Sequence, residues 1–259
     1  MKGGDGMQQT LQGMACALTQ RLDGRLVSFY LYGSAAVEDF RPGWSDIDVL
    51  CLTAEPLPLE QARSLVTLRQ QLVEDTGDPV YRSFEGAIVA LPEFLTGSYS
   101  RVVYWGTSGE RLTDKYEFDP FSRVSLVRYG RLLAGREIRE SLTLPTAEEL
   151  REAVARHLAS IRQFAAQTGP SLYSCGWLLD ICRCLYTLRT GDILPKTAAG
   201  EWALREGLCP VESELRRTLD VRRNPVAFKD DPEIRAWLSG LGPSVQRFAD
   251  VLEAELHST

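Results

Sequence analysis

Apolar residues fall at helical spacing at Leu11, Met14, Ala15, Leu18 and Leu22, which predicts a helix over residues 10–22. The polar, Gly-rich stretch 1–8 ahead of it is expected to fray. After an Asp23-Gly24 turn, the nearly unbroken apolar run 26–32 reads as a strand buried on both faces. Gly33-Ser34 opens a short helix that stops before the Arg41-Pro42-Gly43 turn, and a second strand follows over 46–52. A helix over 59–75 carries Leu65, Leu68, Leu72 and Val73 on its inner stripe and ends at Gly77-Asp78-Pro79. Residues 80–91 read as a third strand, with Glu85 set among Phe84, Ala87 and Val89. Residues 92–115 mix aromatics with Gly-Ser turns and read as loop with one short strand or helix.

Beyond Pro120 the period becomes helical. Helices are predicted over 121–134, 147–167, 171–190, 196–206, 211–223 and 231–257, with Thr146 and Glu149 forming a capping box for the second. The pattern therefore predicts an α/β domain over 1–142 followed by an all-α helical bundle over 143–259.

Composition narrows the class. Hydrophobic content of 44% and charged content of 25% are those of an ordinary globular protein. A net charge of −6 argues against a nucleic-acid partner, which selects for basic surfaces. The six cysteines form no CxxC pair and no zinc spacing, so they read as buried free thiols in a reducing compartment. No apolar run is long enough to span a membrane and no apolar signal core opens the chain, so a cytoplasmic location is expected.

The candidate chemistry sits around the second strand. Asp46 and Asp48 are spaced i, i+2, so in an extended strand their carboxylates point to one face. Gly33 lets the backbone approach a ligand closely, and the helix opening at Ser34 offers free N–H groups to phosphate. Paired carboxylates beside a phosphate cradle suit Mg²⁺ bound through protein and triphosphate oxygens together. Glu85 supplies a third metal ligand or the general base for an acceptor hydroxyl. An exposed strand position is the competing, less favoured explanation for Glu85. Trp105 is a candidate for stacking on a base or a sugar, with core packing the competing explanation. Lys196, at a predicted helix start, could meet a phosphate as a point charge. His157 and His257 lack a partner motif and read as surface residues.

The string LYGSAAVEDFRPGWSDIDVLCL resembles the nucleotidyltransferase superfamily that includes DNA polymerase beta, with its Gly-Ser followed by Asp-x-Asp. A second string, LYTLRTGDILPKTAAGEWAL, is similar to the helical domain of streptomycin/spectinomycin 3''- and 9-adenylyltransferases. The resemblance implies a mixed sheet with helices in the first domain and Mg-dependent transfer of AMP from ATP to an aminoglycoside hydroxyl. It implies Asp46, Asp48 and Glu85 as Mg²⁺ ligands, Glu85 as catalytic base, and Ser34 and Ser45 as ATP contacts. Lys196 would reach the phosphates from the helical domain, and Asp119 matches an acidic nucleotide contact once a one-residue gap is allowed. For the acceptor, Trp105 stands in the segment of the drug-contacting Trp. The stretch from Tyr173 to Gly176 falls where relatives carry acidic and His drug contacts, with neither present here, which leaves Tyr173 as a candidate acceptor contact, and a nucleotide-contacting Tyr falls near Arg222. Rival readings are the same chemistry on another small molecule or on a protein side chain, as in AMP-transferring antitoxins, and a silent nucleotide-binding protein.

Overall fold

The structure, a computed structural model, describes residues 4–106 and 109–258. The first helices in chain order are α1 (Gly4–Leu22), α2 (Gly33–Ala36), α3 (Leu59–Val66), α4 (Leu68–Thr76), α5 (Leu91–Thr96) and α6 (Pro120–Val124). They are followed by α7 (Ala147–Phe164), α8 (Tyr173–Thr190), α9 (Lys196–Arg205), α10 (Glu212–Arg223), α11 (Pro225–Phe228), α12 (Pro232–Ser239) and α13 (Gly242–Ser258). The strands are β1 (Leu26–Leu31), β2 (Ile47–Thr53), β3 (Phe84–Ala90), β4 (Val102–Trp105), β5 (Arg111–Thr113) and β6 (Arg131–Gly135). They form one mixed sheet in the order β5-β4-β3-β2-β1-β6, in which β2 and β3 run parallel and the other neighbours antiparallel.

The chain divides into two units. The sheet unit runs to Val37, then takes Asp46–Phe118 and Ser125–Thr143. The helical unit is Leu144 onward, together with two earlier segments, Glu38–Ser45 and Asp119–Val124. A single cut after residue 142 therefore misses two pieces of chain that pack with the helices. Trp44 shows why for the first of them: it is buried in the helical core with Val154, Leu158, Leu178 and Leu179.

In the sheet unit, side-chain alternation sorts β1, β2 and β3 into two faces. Tyr30, Leu50, Leu52, Ala87 and Val89 share one buried face, covered in part by Phe118 and Leu126. The helical unit is built on α7, α8 and α13, whose stripes bury Ile161, Leu185, Phe248 and Leu252. The expected capping box is formed: the Thr146 hydroxyl accepts from Glu149 N–H at 3.1 Å, and the Glu149 carboxylate accepts from Thr146 N–H at 2.7 Å.

Several elements differ from the sequence reading. Of the stretch 1–8 expected to fray, residues 1–3 lie outside the described residues, and α1 already begins at Gly4. The helix expected over 121–134 is instead α6, a wide π turn over Ser125–Tyr129, and strand β6. Pairing with β1 overrides helical spacing there, matching Leu31 with Arg131 and Ser28 with Gly135. Gly130 makes the reversal possible, because a Cβ at that position would lie 2.4 Å from the Leu126 carbonyl oxygen. The third strand starts at Phe84 rather than residue 80, since Asp78 caps a 3₁₀ turn over Pro79–Ser83 by accepting from Val80 N–H at 3.0 Å. The helix over 59–75 breaks at Thr67, the last one breaks at Gly240, and the described residues of 92–115 hold one helix and two strands. Five cysteines are buried and free, whereas Cys16 is exposed. Among the described residues, no helix is long and apolar enough to cross a membrane.

One buried ion pair stands out in the helical unit. Arg222 Nη2 donates to Asp39 Oδ2 at 2.7 Å, and both side chains are almost wholly buried. Burial pushes the Asp39 carboxyl up, but the Thr197 hydroxyl and the Arg222 guanidinium outweigh it and hold the carboxyl below its ordinary value. A carboxyl depressed on folding stabilises fully above its unfolded pKa of about 3.9, and that stabilisation is lost as pH falls through the lower folded value. Asp39→Asn is accordingly expected to flatten the acid limb of a plot of unfolding midpoint against pH below about pH 4. Parallel curves for the two proteins would contradict this.

Candidate active site

The parallel register of β2 on β3 matches Asp48 with Glu85. Directly paired residues of adjacent strands share a face, so the second Asp of the Asp-x-Asp and the candidate base lie side by side. Glu85 is half-buried at the head of β3 and accepts a hydrogen bond from the Tyr104 hydroxyl at 3.3 Å. Burial, reinforced by the Glu85 charge, raises the Tyr104 pKa, which keeps that phenol a neutral donor. Asp46 lies just before β2 begins.

The turn after β1 meets the same carboxylate. Gly33 has a φ of +64°, and a Cβ there would lie 1.9 Å from Asp48 Oδ2. Only a residue without a side chain fits against Asp48, so the glycine of Gly33-Ser34 and the second Asp of the Asp-x-Asp are one steric unit. Gly33 N–H donates to the buried Ser125 hydroxyl at 2.9 Å, which fixes the orientation of the turn. Ser34 follows within α2. Among the described residues, no three His, Cys, Asp or Glu side chains are gathered tightly enough to hold a metal by themselves. Mg²⁺ bound by one or two carboxylates, with phosphate oxygens and water completing its shell, makes no such demand. The oxygen ligands of Asp48 and Glu85, paired in register beside a cradle that a Cβ would fill, fit that ion.

In the helical unit, Ser45 Oγ accepts from Arg41 N–H at 3.0 Å. Asp119 is engaged as a cap: its carboxylate accepts from the N–H groups of Phe121 and Ser122 at 2.8 and 3.1 Å and from the Ser122 hydroxyl at 2.6 Å. Lys196 opens α9, with its Nζ 3.0 Å from Asp180 Oδ1 and 3.2 Å from Oδ2. Burial pushes the Asp180 carboxyl up, and the charges of Lys196, His157 and Arg183 more than reverse this. His157 is no ordinary surface residue. It lies 4.0 Å from Asp180 and meets the rings of Phe121 and Trp177, and burial lowers its pKa despite the Asp180 charge. Tyr173 is exposed at the start of α8.

Trp105 requires a correction. It is 1% exposed, its indole N–H donates to the Leu65 carbonyl of α3 at 3.0 Å, and the Arg69 guanidinium lies 5.9 Å from its ring. It packs the core behind the sheet and offers no ring to an acceptor. Period-two alternation puts its neighbour Tyr104 on the Glu85 side instead. Trp105→Ala is expected to cost about 3–5 kcal/mol of stability. In the fraction that stays folded, acceptor KM should be unchanged; a large KM increase without loss of stability would restore the stacking role.

Residues 17–91 match the nucleotidyltransferase domain family. With the Gly-Ser turn and in-register carboxylates in that span, the chain is an enzyme of the nucleotidyltransferase class. Residues 144–225 match the C-terminal domain of aminoglycoside adenylyltransferases. Similar proteins include a spectinomycin 9-adenylyltransferase of Campylobacter jejuni, 27% identical over 205 residues that cover 76% of this chain and 78% of the relative. Another, of Enterococcus faecalis, is 24% identical over 216 residues, covering 79% of this chain and 82% of the relative. The fold is similar to that of a crystallised enterococcal spectinomycin adenyltransferase with ATP and spectinomycin. The TM-score is 0.58 at 18% identity, over 95% of this chain and 98% of that one. The chain thus resembles aminoglycoside adenylyltransferases in both its nucleotidyltransferase domain and its C-terminal helices.

Proposed function

We propose that the protein transfers AMP from ATP to a hydroxyl of an aminoglycoside-type antibiotic, spectinomycin first among candidates, with release of pyrophosphate. The observation that carries this reading is the pairing of Asp48 with Glu85 on adjacent parallel strands, with Asp48 pressed against Gly33. The named relatives support the choice of acceptor.

In this reading Asp46, Asp48 and Glu85 would hold Mg²⁺, which would supply charge neutralisation for the triphosphate. Gly33 and Ser34 cradle phosphate at the start of α2, and Ser45 and Asp119 contact the nucleotide. The Lys196 ammonium exchanges its pairing with Asp180 for phosphate oxygens. Glu85 takes the acceptor proton as the hydroxyl oxygen attacks the α-phosphorus, and Tyr104 holds the carboxylate in aim through its 3.3 Å hydrogen bond. Tyr173 is kept as an acceptor contact because it is exposed on the helical unit.

The test is pyrophosphate release from ATP-Mg with spectinomycin, streptomycin, other aminoglycosides and no acceptor. Release that depends on spectinomycin or streptomycin is the expected result. Release with none of them would overturn the acceptor assignment and move the search to other hydroxyl compounds or protein side chains.

A further inference from the structure

The cluster of Asp39, Thr197 and Arg222 has no part in the chemistry above, yet it ties together two of the three stretches of the helical unit that carry assigned nucleotide contacts, those of Ser45 and Lys196. The Asp39 carboxylate accepts from Arg222 Nη2 at 2.7 Å, from the Thr197 hydroxyl at 2.6 Å and N–H at 3.3 Å, and from Arg41 Nη2 at 3.1 Å. Arg222 closes the ring, its Nε donating to Thr197 Oγ1 at 3.1 Å and its Nη2 to the Asp39 carbonyl at 3.2 Å. Its guanidinium also lies over the Trp44 ring, 5.4 Å from the centroid. The Thr197 hydroxyl thus gives its proton to Asp39 and a lone pair to Arg222.

Such a pair is a poor device for stability alone, because apolar residues of similar volume often do as well or better in its place. What a planar, forked guanidinium supplies is one fixed geometry. The segment fixed here is Glu38–Ser45, which ends in Ser45 and runs directly into Asp46, and the second element fixed is the first turn of α9, where Thr197 follows Lys196. We infer that Asp39, Thr197 and Arg222 are positioning residues that lock the Ser45 segment and the Lys196 turn into one arrangement before nucleotide binds. The inference rests on the nucleotidyl-transfer reading for its effect on ATP, but not for its effect on order.

Three variants of the full chain test it, with KM for ATP-Mg, kcat and amide hydrogen exchange as readouts. Thr197→Val removes the bridging hydroxyl at constant shape. It should raise the KM for ATP about tenfold, as loss of a hydrogen bond to a charged group does, and speed exchange in 38–45 with less effect on kcat. Thr197→Ser keeps the hydroxyl and should restore both. The double variant Asp39→Leu, Arg222→Met replaces the buried charges together. It should unfold at or above the wild-type midpoint and still carry the KM defect. A folded double variant with wild-type KM and wild-type protection of 38–45 would overturn the inference, as would Thr197→Val behaving like wild type. If the wild-type protein showed no ATP turnover, the functional reading would fail, while unchanged or faster exchange in 38–45 would still decide the positioning role.

Discussion

Glu85→Gln is expected to lower kcat by about 10²–10⁴-fold, the usual contribution of a positioned general base. Glutamine keeps the shape of the side chain, and its amide oxygen still accepts from Tyr104, so the surroundings of β3 are undisturbed. What it loses is the capacity to take the acceptor proton. The affinity for ATP-Mg should stay within a few-fold of wild type, since Asp48 and Asp46 remain to carry the metal-bound triphosphate. Turnover is read by pyrophosphate release under saturating acceptor, and ATP affinity by calorimetry. A kcat within about threefold of wild type would remove Glu85 from the mechanism.

Gly33→Ala should be nearly as damaging for a steric reason. The added Cβ would lie 1.9 Å from Asp48 Oδ2, and the +64° φ is one that side-chain-bearing residues adopt at a cost of about 1–2 kcal/mol. Either the turn or the Asp48 carboxylate must shift by more than an ångström. A displacement of that size at a reacting centre costs about 10²-fold in rate. The fold itself should survive, because the collision is with one polar side chain at the end of the sheet rather than with its core. The expected signature is a folded protein, by circular dichroism, with both ATP affinity and turnover reduced. Wild-type ATP affinity in this variant would mean that Gly33 and Asp48 do not share the nucleotide.

Much of this site was legible in the chain. Gly33-Ser34 and Asp46-x-Asp48 stand out by residue type, and the structure brings Gly33 against Asp48. The facing of Glu85 was not legible, since alternation gives a side chain's face only when the strand's register is known, and the β2–β3 register is a tertiary fact. Trp105 shows the opposite hazard. An aromatic near glycines looks like a ligand platform, but one step of alternation sends it to the core and its neighbour Tyr104 to Glu85. Helical spacing over 121–134 likewise gave way to pairing with β1, a long-range partner that local periodicity cannot see. Asp39, Asp180 and Arg222 carried no local signal, because each acquires its meaning from a partner far along the chain.

The central claim is that AMP ends up on an antibiotic hydroxyl. The direct measurement is mass spectrometry of spectinomycin after incubation with the protein and ATP-Mg, beside a parallel reaction with Asp48→Asn. The account predicts that the antibiotic gains the mass of one adenylyl group in the wild-type reaction, matched by one pyrophosphate, and that the Asp48→Asn reaction leaves it unmodified. Unmodified spectinomycin in the wild-type reaction, with ATP and antibiotic both bound, would contradict it.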